Sequence, residues 1–356
     1  MPDAIWIDRN DQLPALVQAL EPQASIGVDT EFLRERTFFP RLCLLQLAAA
    51  GQVWCVDTLA VGSLDPLMPA MTAAAARKVI HAARQDLEAV YLTSKRVVSP
   101  VFDTQIAAGC IGLKPQIGYA ELVKTLLDVT VPKGQTRTDW SKRPLTQAQL
   151  AYAADDVQYL GDVADLLSQR LRELGREHWV VEDCAALEDQ ELYEPDPAQA
   201  WVRLRGLAQL EPKSRARAKT IAIWREKLAR SRDLPRAWIL PDAAIFSVAQ
   251  GFEPPLNDSL AANLHVALEE AANDVVDQEP SQDARPTAVQ KALIEQLGKI
   301  VDARAAELNV SPEILAPRGE LKSLAMGALA GAPPASHVLT GWRREEIGIR
   351  LLEAFG

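Results

Sequence analysis

Two short stretches of this chain carry acids at spacings that could do chemistry. The first is Ile26-Gly27-Val28-Asp29-Thr30-Glu31-Phe32. Side chains alternate along a strand, so Ile26, Val28, Thr30 and Phe32 share one face while Asp29 and Glu31 share the other, with Gly27 leaving room beside them. Paired carboxylates raise each other's pKa unless a cation neutralises them, and a hard divalent ion bound through oxygen is the natural partner. The plainer reading is an edge strand with its acids in water. The second stretch is Tyr152-Ala153-Ala154-Asp155-Asp156, in which the tyrosine and the last aspartate lie one helical turn apart. Asp155 falls on nearly the same face, so helical geometry alone does not choose between the two aspartates. A third acid, Asp86, follows His81 in His-Ala-Ala-Arg-Gln-Asp at a strand-to-helix junction. Acids favour helix N-termini, and taken alone Asp86 reads as one of those.

Elements must exist to position these residues. Ile26 to Phe32, Leu42 to Ala48 and Gln52 to Val56 read as strands separated by Pro40 and Gly51. Val79 to His81 and Val97 to Phe102 read as shorter strands, interleaved with helical patterns around 64–76, 86–94 and 104–112. A long helix is expected to begin near Thr146, where Thr146 and Gln149 form a capping-box pair after Pro144, and to continue to Leu174. Residues 1–180 thus form an α/β domain. Residues 197–278 and 286–356 read as two all-helical domains, divided by a Pro- and acid-rich stretch.

Charge is distributed unevenly. The net charge is −10 over 356 residues. Residues 182–196 hold seven acids and no base, and 181–196 reads as an acidic linker. Residues 203–236 hold eleven Lys and Arg against three acids, either a solvated helix face or an electrostatic guide for nucleic acid. Lys133, Arg137, Lys142 and Arg143 surround Trp140 in a basic loop ahead of the long helix. Such groups could contact phosphates and stack a base, although Trp140 by itself reads better as core. The four cysteines are scattered without ligand spacing and read as buried thiols of a reducing compartment. No apolar run is long enough to cross a bilayer, and the N-terminus lacks a signal-peptide pattern, so a cytoplasmic protein is expected. There is no phosphate loop, dinucleotide fingerprint or His-Glu-x-x-His. No protein partner is evident.

The order Val28-Asp29-Thr30-Glu31-Phe32, then His81 to Asp86, then Tyr152 to Asp156 resembles the three motifs of the DEDD exonuclease superfamily, in its tyrosine-containing subgroup. Glu31-Phe32-Leu33-Arg34, Arg41 to Leu47, and Lys133 to Leu145 look more narrowly like ribonuclease D, and the helical remainder looks like its HRDC domains. The resemblance implies a ribonuclease H-like exonuclease domain with a mixed central sheet, followed by two HRDC-like helical domains. It implies 3′→5′ hydrolysis of RNA by two divalent ions, Mg²⁺ or Mn²⁺, with nucleoside 5′-monophosphates released and transfer-RNA precursors as substrates. It assigns Asp29, Glu31, Asp86 and Asp156 to the metals and Tyr152 to the attacking water. That register selects Asp156 over Asp155. Thr30, His81, Lys133, Arg137, Trp140 and Arg143 become expected substrate contacts. Ala82 departs from the pattern, because many relatives carry Asn after the motif histidine. Two other readings are a single-strand DNA exonuclease with the same motifs and a non-catalytic nucleic-acid adaptor.

Overall fold

Short apolar runs broken by turn residues assemble into one mixed six-stranded sheet: β1 (Ile5–Ile7), β2 (Ser25–Leu33), β3 (Arg41–Ala49), β4 (Gln52–Val56), β5 (Arg77–Ile80) and β6 (Val101–Asp103). The computed structural model describes residues 4–132, 134, 138–254, 256–271, 286–329, 331 and 335–355. The strand order is β1-β4-β3-β2-β5-β6. β2, β3 and β4 form an antiparallel meander, while β5 and β6 continue parallel to β2. In that register Asp29 lies opposite Gln46 and Glu31 opposite Leu44, just before a bulge that leaves Cys43 without a cross-strand partner.

Around the sheet run α1 (Leu13–Leu20), α2 (Thr58–Val61), α3 (Met68–Thr72), α4 (Arg84–Ser94), α5 (Thr104–Cys110), α6 (Tyr119–Leu127), α7 (Gln147–Gln158), α8 (Leu160–Leu174) and α9 (Glu177–Ala185). The capping box forms as expected: Gln149 N–H donates to Thr146 Oγ1 at 3.2 Å, and Thr146 N–H donates to Gln149 Oε1 at 2.9 Å. The long helix does not run unbroken to Leu174. It breaks at Tyr159, where α7 ends and α8 begins.

Contacts divide the chain into two units. One comprises Met1–Leu33, Arg41–Gln190 and Thr287–Gly356. The other comprises Arg34–Pro40 and Glu191–Pro286. Within the first, the acids expected as linker have structural work. Asp183 takes two hydrogen bonds from Arg343 and one from Trp342 Nε1, Glu182 accepts from Trp342 N–H, and Glu188 accepts from Val101 N–H. Trp342 stacks on Trp179 with ring centroids 4.1 Å apart.

The second unit contains α10 (Pro212–Arg232), α11 (Arg236–Ile239), α12 (Asp242–Ala249) and α13 (Asp258–Ala271). Part of its basic stretch is engaged within the unit. Buried Glu226 is bridged by Arg203, Arg230 and Arg236. Arg215 donates to the carbonyls of Leu207 and Leu210, Arg217 to that of Val248, and Arg225 to Leu240 and Asp242. Short turns leave carbonyls that the helices cannot satisfy, and forked guanidinium donors satisfy them.

Among the described residues no helix is long and apolar enough to cross a membrane. All four cysteines are buried and free.

Ala82, between β5 and α4, has φ +57. Its amide and that of Ala83 donate to Asp103 at 3.1 and 2.8 Å, which fixes this turn. Left-handed backbone costs an alanine on the order of 1 kcal/mol, and asparagine tolerates it better. Ala82→Asn is therefore expected to stabilise the protein by ~0.5–1 kcal/mol. Urea unfolding checks this, and an unchanged or lower midpoint contradicts it.

Candidate active site

Strand β2 and helix α7 bring the expected carboxylates together. One oxygen each from Asp29, Glu31 and Asp156 lie within 4.8 Å of one another. Gly27 makes the approach possible. A Cβ there would meet the Val157 carbonyl at 3.2 Å and Leu160 Cβ at 3.3 Å, so a larger residue would push the helices off the strand. Asp155 points elsewhere: it is buried, and it accepts from Gln158 Nε2 at 2.6 Å. Asp156, not its neighbour, faces the site.

Asp86 stands apart from the trio. It lies in the first turn of α4, as its local sequence suggests, and its Oδ1 accepts from Thr30 Oγ1 at 2.5 Å. Thr30, which lies between Asp29 and Glu31 in β2, thus ties Asp86 to the strand that carries two of the acids.

The electrostatics are those of a crowded anionic site. Burial, then the charges of Asp86, Asp156 and Glu31, hold Asp29 well above the usual carboxylate range. Burial, with Asp156 and Asp86, pushes Glu31 up to about 9. Burial also raises Asp156 to about 7, against a lowering hydrogen bond from Tyr152, and Asp86 to about 6, against the bond from Thr30. Such a cluster is costly to ionise without a cation. An all-oxygen donor set this close together suits a hard divalent ion. The residues present fit one.

Tyr152 and Asp156 stand one helical turn apart on α7, and the Tyr152 hydroxyl interacts with the Asp156 carboxylate. Burial first, and then the charges of Asp156 and Glu31, raise its pKa above the ordinary phenol value. It stays protonated at neutral pH, which makes it a donor and not a base.

Trp140 and Arg143, expected as substrate contacts, are both engaged in the packing of the fold. Trp140 is 2% exposed and packs with Cys43, Leu44, Cys55 and Ala153. Arg143 forks onto Asp57 at 2.6 and 2.7 Å and donates to the carbonyls of Cys43 and Trp140 at 2.8 and 2.7 Å. Both lock the basic loop to the sheet. The polar atoms of two further expected contacts are committed inside the fold. Thr30 serves Asp86, and His81 places Nδ1 2.9 Å from Thr104 Oγ1 and Nε2 3.0 Å from the Ile117 carbonyl. The carbonyl contact requires the proton on Nε2. Lys133 and Arg137 lie outside the described residues.

Two residues of the site's surroundings have no role in the sequence reading. Gln46, opposite Asp29, is fully buried, and its side-chain amide has no hydrogen-bond partner among the described residues. Its one signal is a polar residue within the apolar run of β3. Tyr119 contacts the break between α7 and α8, and nothing in its local sequence marks it.

A family model described as a 3′-5′ exonuclease matches residues 4–172, and an HRDC domain model matches residues 214–262. Ribonuclease D of Granulibacter bethesdensis is 35% identical over 98% of this chain and 91% of its own length. Ribonuclease D of Xanthomonas oryzae pv. oryzae is 36% identical over 90% of this chain and 91% of its own. Among solved structures, Escherichia coli RNase D, an exoribonuclease involved in structured RNA processing, superposes with a TM-score of 0.89 at 26% identity, covering 99% of this chain and 98% of that one.

Proposed function

The chain belongs to the ribonuclease D family, and from that premise we propose that it is a metal-dependent 3′→5′ exoribonuclease. It hydrolyses the 3′-terminal phosphodiester of RNA and releases nucleoside 5′-monophosphates. The observation that carries this reading is the meeting of Asp29, Glu31 and Asp156 within 4.8 Å, beside Tyr152. Transfer-RNA precursors with 3′ extensions are the proposed substrates. Likeness to an exoribonuclease involved in structured RNA processing supports that choice.

Asp29, Glu31 and Asp156 would hold one divalent ion, and Asp29 with Asp86 a second, Mg²⁺ or Mn²⁺ in each case. When bound, the pair supplies charge neutralisation at the phosphate and a lowered pKa for water. The protein does the rest. Thr30 fixes the Asp86 carboxylate, and the Tyr152 phenol orients the attacking water by hydrogen bonding without taking its proton. Residues 1–180 serve as the exonuclease domain, and 197–278 and 286–356 as HRDC-like domains; the HRDC match to residues 214–262 supports the first of these two.

Tyr152→Phe tests the orienting role. It should lower turnover on the order of 10²-fold while leaving RNA affinity in a filter-binding assay nearly unchanged. An unaltered rate removes Tyr152 from the mechanism.

The function itself is tested with a 5′-labelled, 3′-extended RNA and a single-stranded DNA of matched sequence, each with Mg²⁺, Mn²⁺ or chelator. Products shortening in single-nucleotide steps, with mononucleotide release and RNA preferred, are expected. Preference for DNA favours a DNA exonuclease. No product with either metal leaves a nucleic-acid adaptor.

A further inference from the structure

The apolar periodicity of residues 146–174 calls for a continuous helix, and there is no proline after Pro144 to stop it. It stops nonetheless at Tyr159, whose φ of −101 and ψ of −2 separate α7 from α8. The cause lies 40 residues away. In an uninterrupted helix the Tyr159 N–H would donate to the Asp155 carbonyl. Here the Tyr119 hydroxyl stands between them. It donates to Asp155 O at 3.1 Å and accepts from Tyr159 N at 3.3 Å. One rung of the ladder is replaced by a two-bond bridge through a side chain, a recognised cause of a sharp bend.

The bend has a use at this place. α7 packs on β4, β3 and β2, and α8 continues over β2, β5 and β3. A straight helix does not follow a twisted sheet across four strands. The bend rests against β2 at Gly27, two residues before Asp29, and Asp156 is the residue immediately after the carbonyl that Tyr119 holds. Tyr119 is itself well placed. It opens α6, the preceding Ile117 carbonyl receives His81 Nε2 and Gln105 Nε2, and its ring lies 5.8 Å from that of His81.

We propose that Tyr119 is a positioning residue for the metal-binding carboxylates, its hydroxyl setting the helix bend that aims Asp156 at Asp29 and Glu31. The proposal rests on the reading of that trio as a divalent-metal site. It also gives His81 a part in the motif without substrate contact, as an anchor of the segment that presents Tyr119.

Tyr119→Phe in the full-length chain tests it, since the variant keeps the ring and removes only the bridging oxygen. Without RNA, Mn²⁺ binding measured by calorimetry should weaken by roughly 10-fold. The Mg²⁺ concentration that half-saturates RNA trimming should rise in proportion. The metal-free unfolding midpoint should move by no more than roughly 3 °C, the effect of the two neutral hydrogen bonds lost with the hydroxyl. Unchanged Mn²⁺ affinity overturns the proposal, and so does a much larger fall in the midpoint, which would make the hydroxyl a matter of global folding. If the parent chain binds no Mn²⁺, the metal-site reading and this proposal fall together. If it binds Mn²⁺ without trimming RNA, the exonuclease reading fails alone and the affinity comparison still decides the role of Tyr119.

Discussion

Asp156→Asn should abolish RNA hydrolysis at every Mg²⁺ or Mn²⁺ concentration while leaving the fold in place. The substitution is nearly isosteric, so the packing of α7 against the sheet is kept. What is lost is one of three anionic oxygens that lie within 4.8 Å of each other, together with the carboxylate that interacts with Tyr152. Losing a single preorganised charge-stabilising group in an active site costs on the order of 10²–10³ in rate, and loss of metal would deepen that. Asp29→Asn should behave alike, because Asp29 shares the same cluster. Single-turnover assays on 3′-labelled RNA, with circular dichroism to verify folding, make the measurement. Turnover within tenfold of the parent (about 1.4 kcal/mol) in either variant sinks the assignment. Without metal, neither variant should be less stable than the parent, since each removes repulsion from a site whose remaining acids are already held above their ordinary range.

The second large effect is a stability that falls with rising pH in metal-free protein and is restored by metal. Glu31 and Asp156 have folded-state values raised to about 9 and about 7. In the unfolded chain both titrate near ~4. Between those limits the folded state holds protons that the unfolded state has released, so stability declines as pH rises. The contribution is complete below the unfolded value and is lost on passing through about 7 and then about 9. Other groups leave the middle of this window clear. Burial lowers His81, whose opposing influence ends above its ordinary pKa of ~6.5. Lys78, lowered by burial to about 8, opposes only above that pH. Glu226, held low by its arginines, matters only in acid. The unfolding midpoint without metal should therefore drop on the order of 5 °C between about pH 6.5 and about pH 8. Millimolar Mg²⁺ should raise the midpoint more at the higher pH, because only the ionised carboxylates bind it. Glu31→Gln should flatten the slope. A metal-free midpoint equal at both pH values would show that the cluster is not titrating as its burial implies.

Asp29 and Glu31 are legible in the sequence because strand alternation is a local rule, and β2 follows it. The Thr146–Gln149 cap is legible for the same reason, since it involves one turn of chain. Asp86 reads locally as a helix-start acid, and it is one; only family register connected it to the site. The hydroxyl that holds it comes from Thr30, 56 residues earlier. The choice between Asp155 and Asp156 was likewise beyond helical spacing. The structure separates them, with Asp155 turned onto Gln158 and Asp156 toward β2.

Charge counts were the least transferable part of the sequence. Eleven basic residues in 203–236 read either as a solvated helix face or as a guide for nucleic acid, and a count does not show that Arg203, Arg215, Arg217, Arg225, Arg230 and Arg236 bind carboxylates and carbonyls of their own unit. Asp183 and Glu182, counted as linker acids, hold Trp342 and Arg343 from the far end of the chain. A count cannot see partners that folding supplies.

By itself, then, the sequence determined the strand that displays two acids, the start of the helix that brings the third, and the family to which that order points. Periodicities and caps act over one or two turns of chain, and they survive any tertiary arrangement. Only the tertiary structure decided where that helix bends, what holds Asp86, and that Arg143 and Trp140 brace the fold. Each of those outcomes depends on one polar or bulky group meeting another from a distant segment, and burial leaves such a group no water to bond with instead.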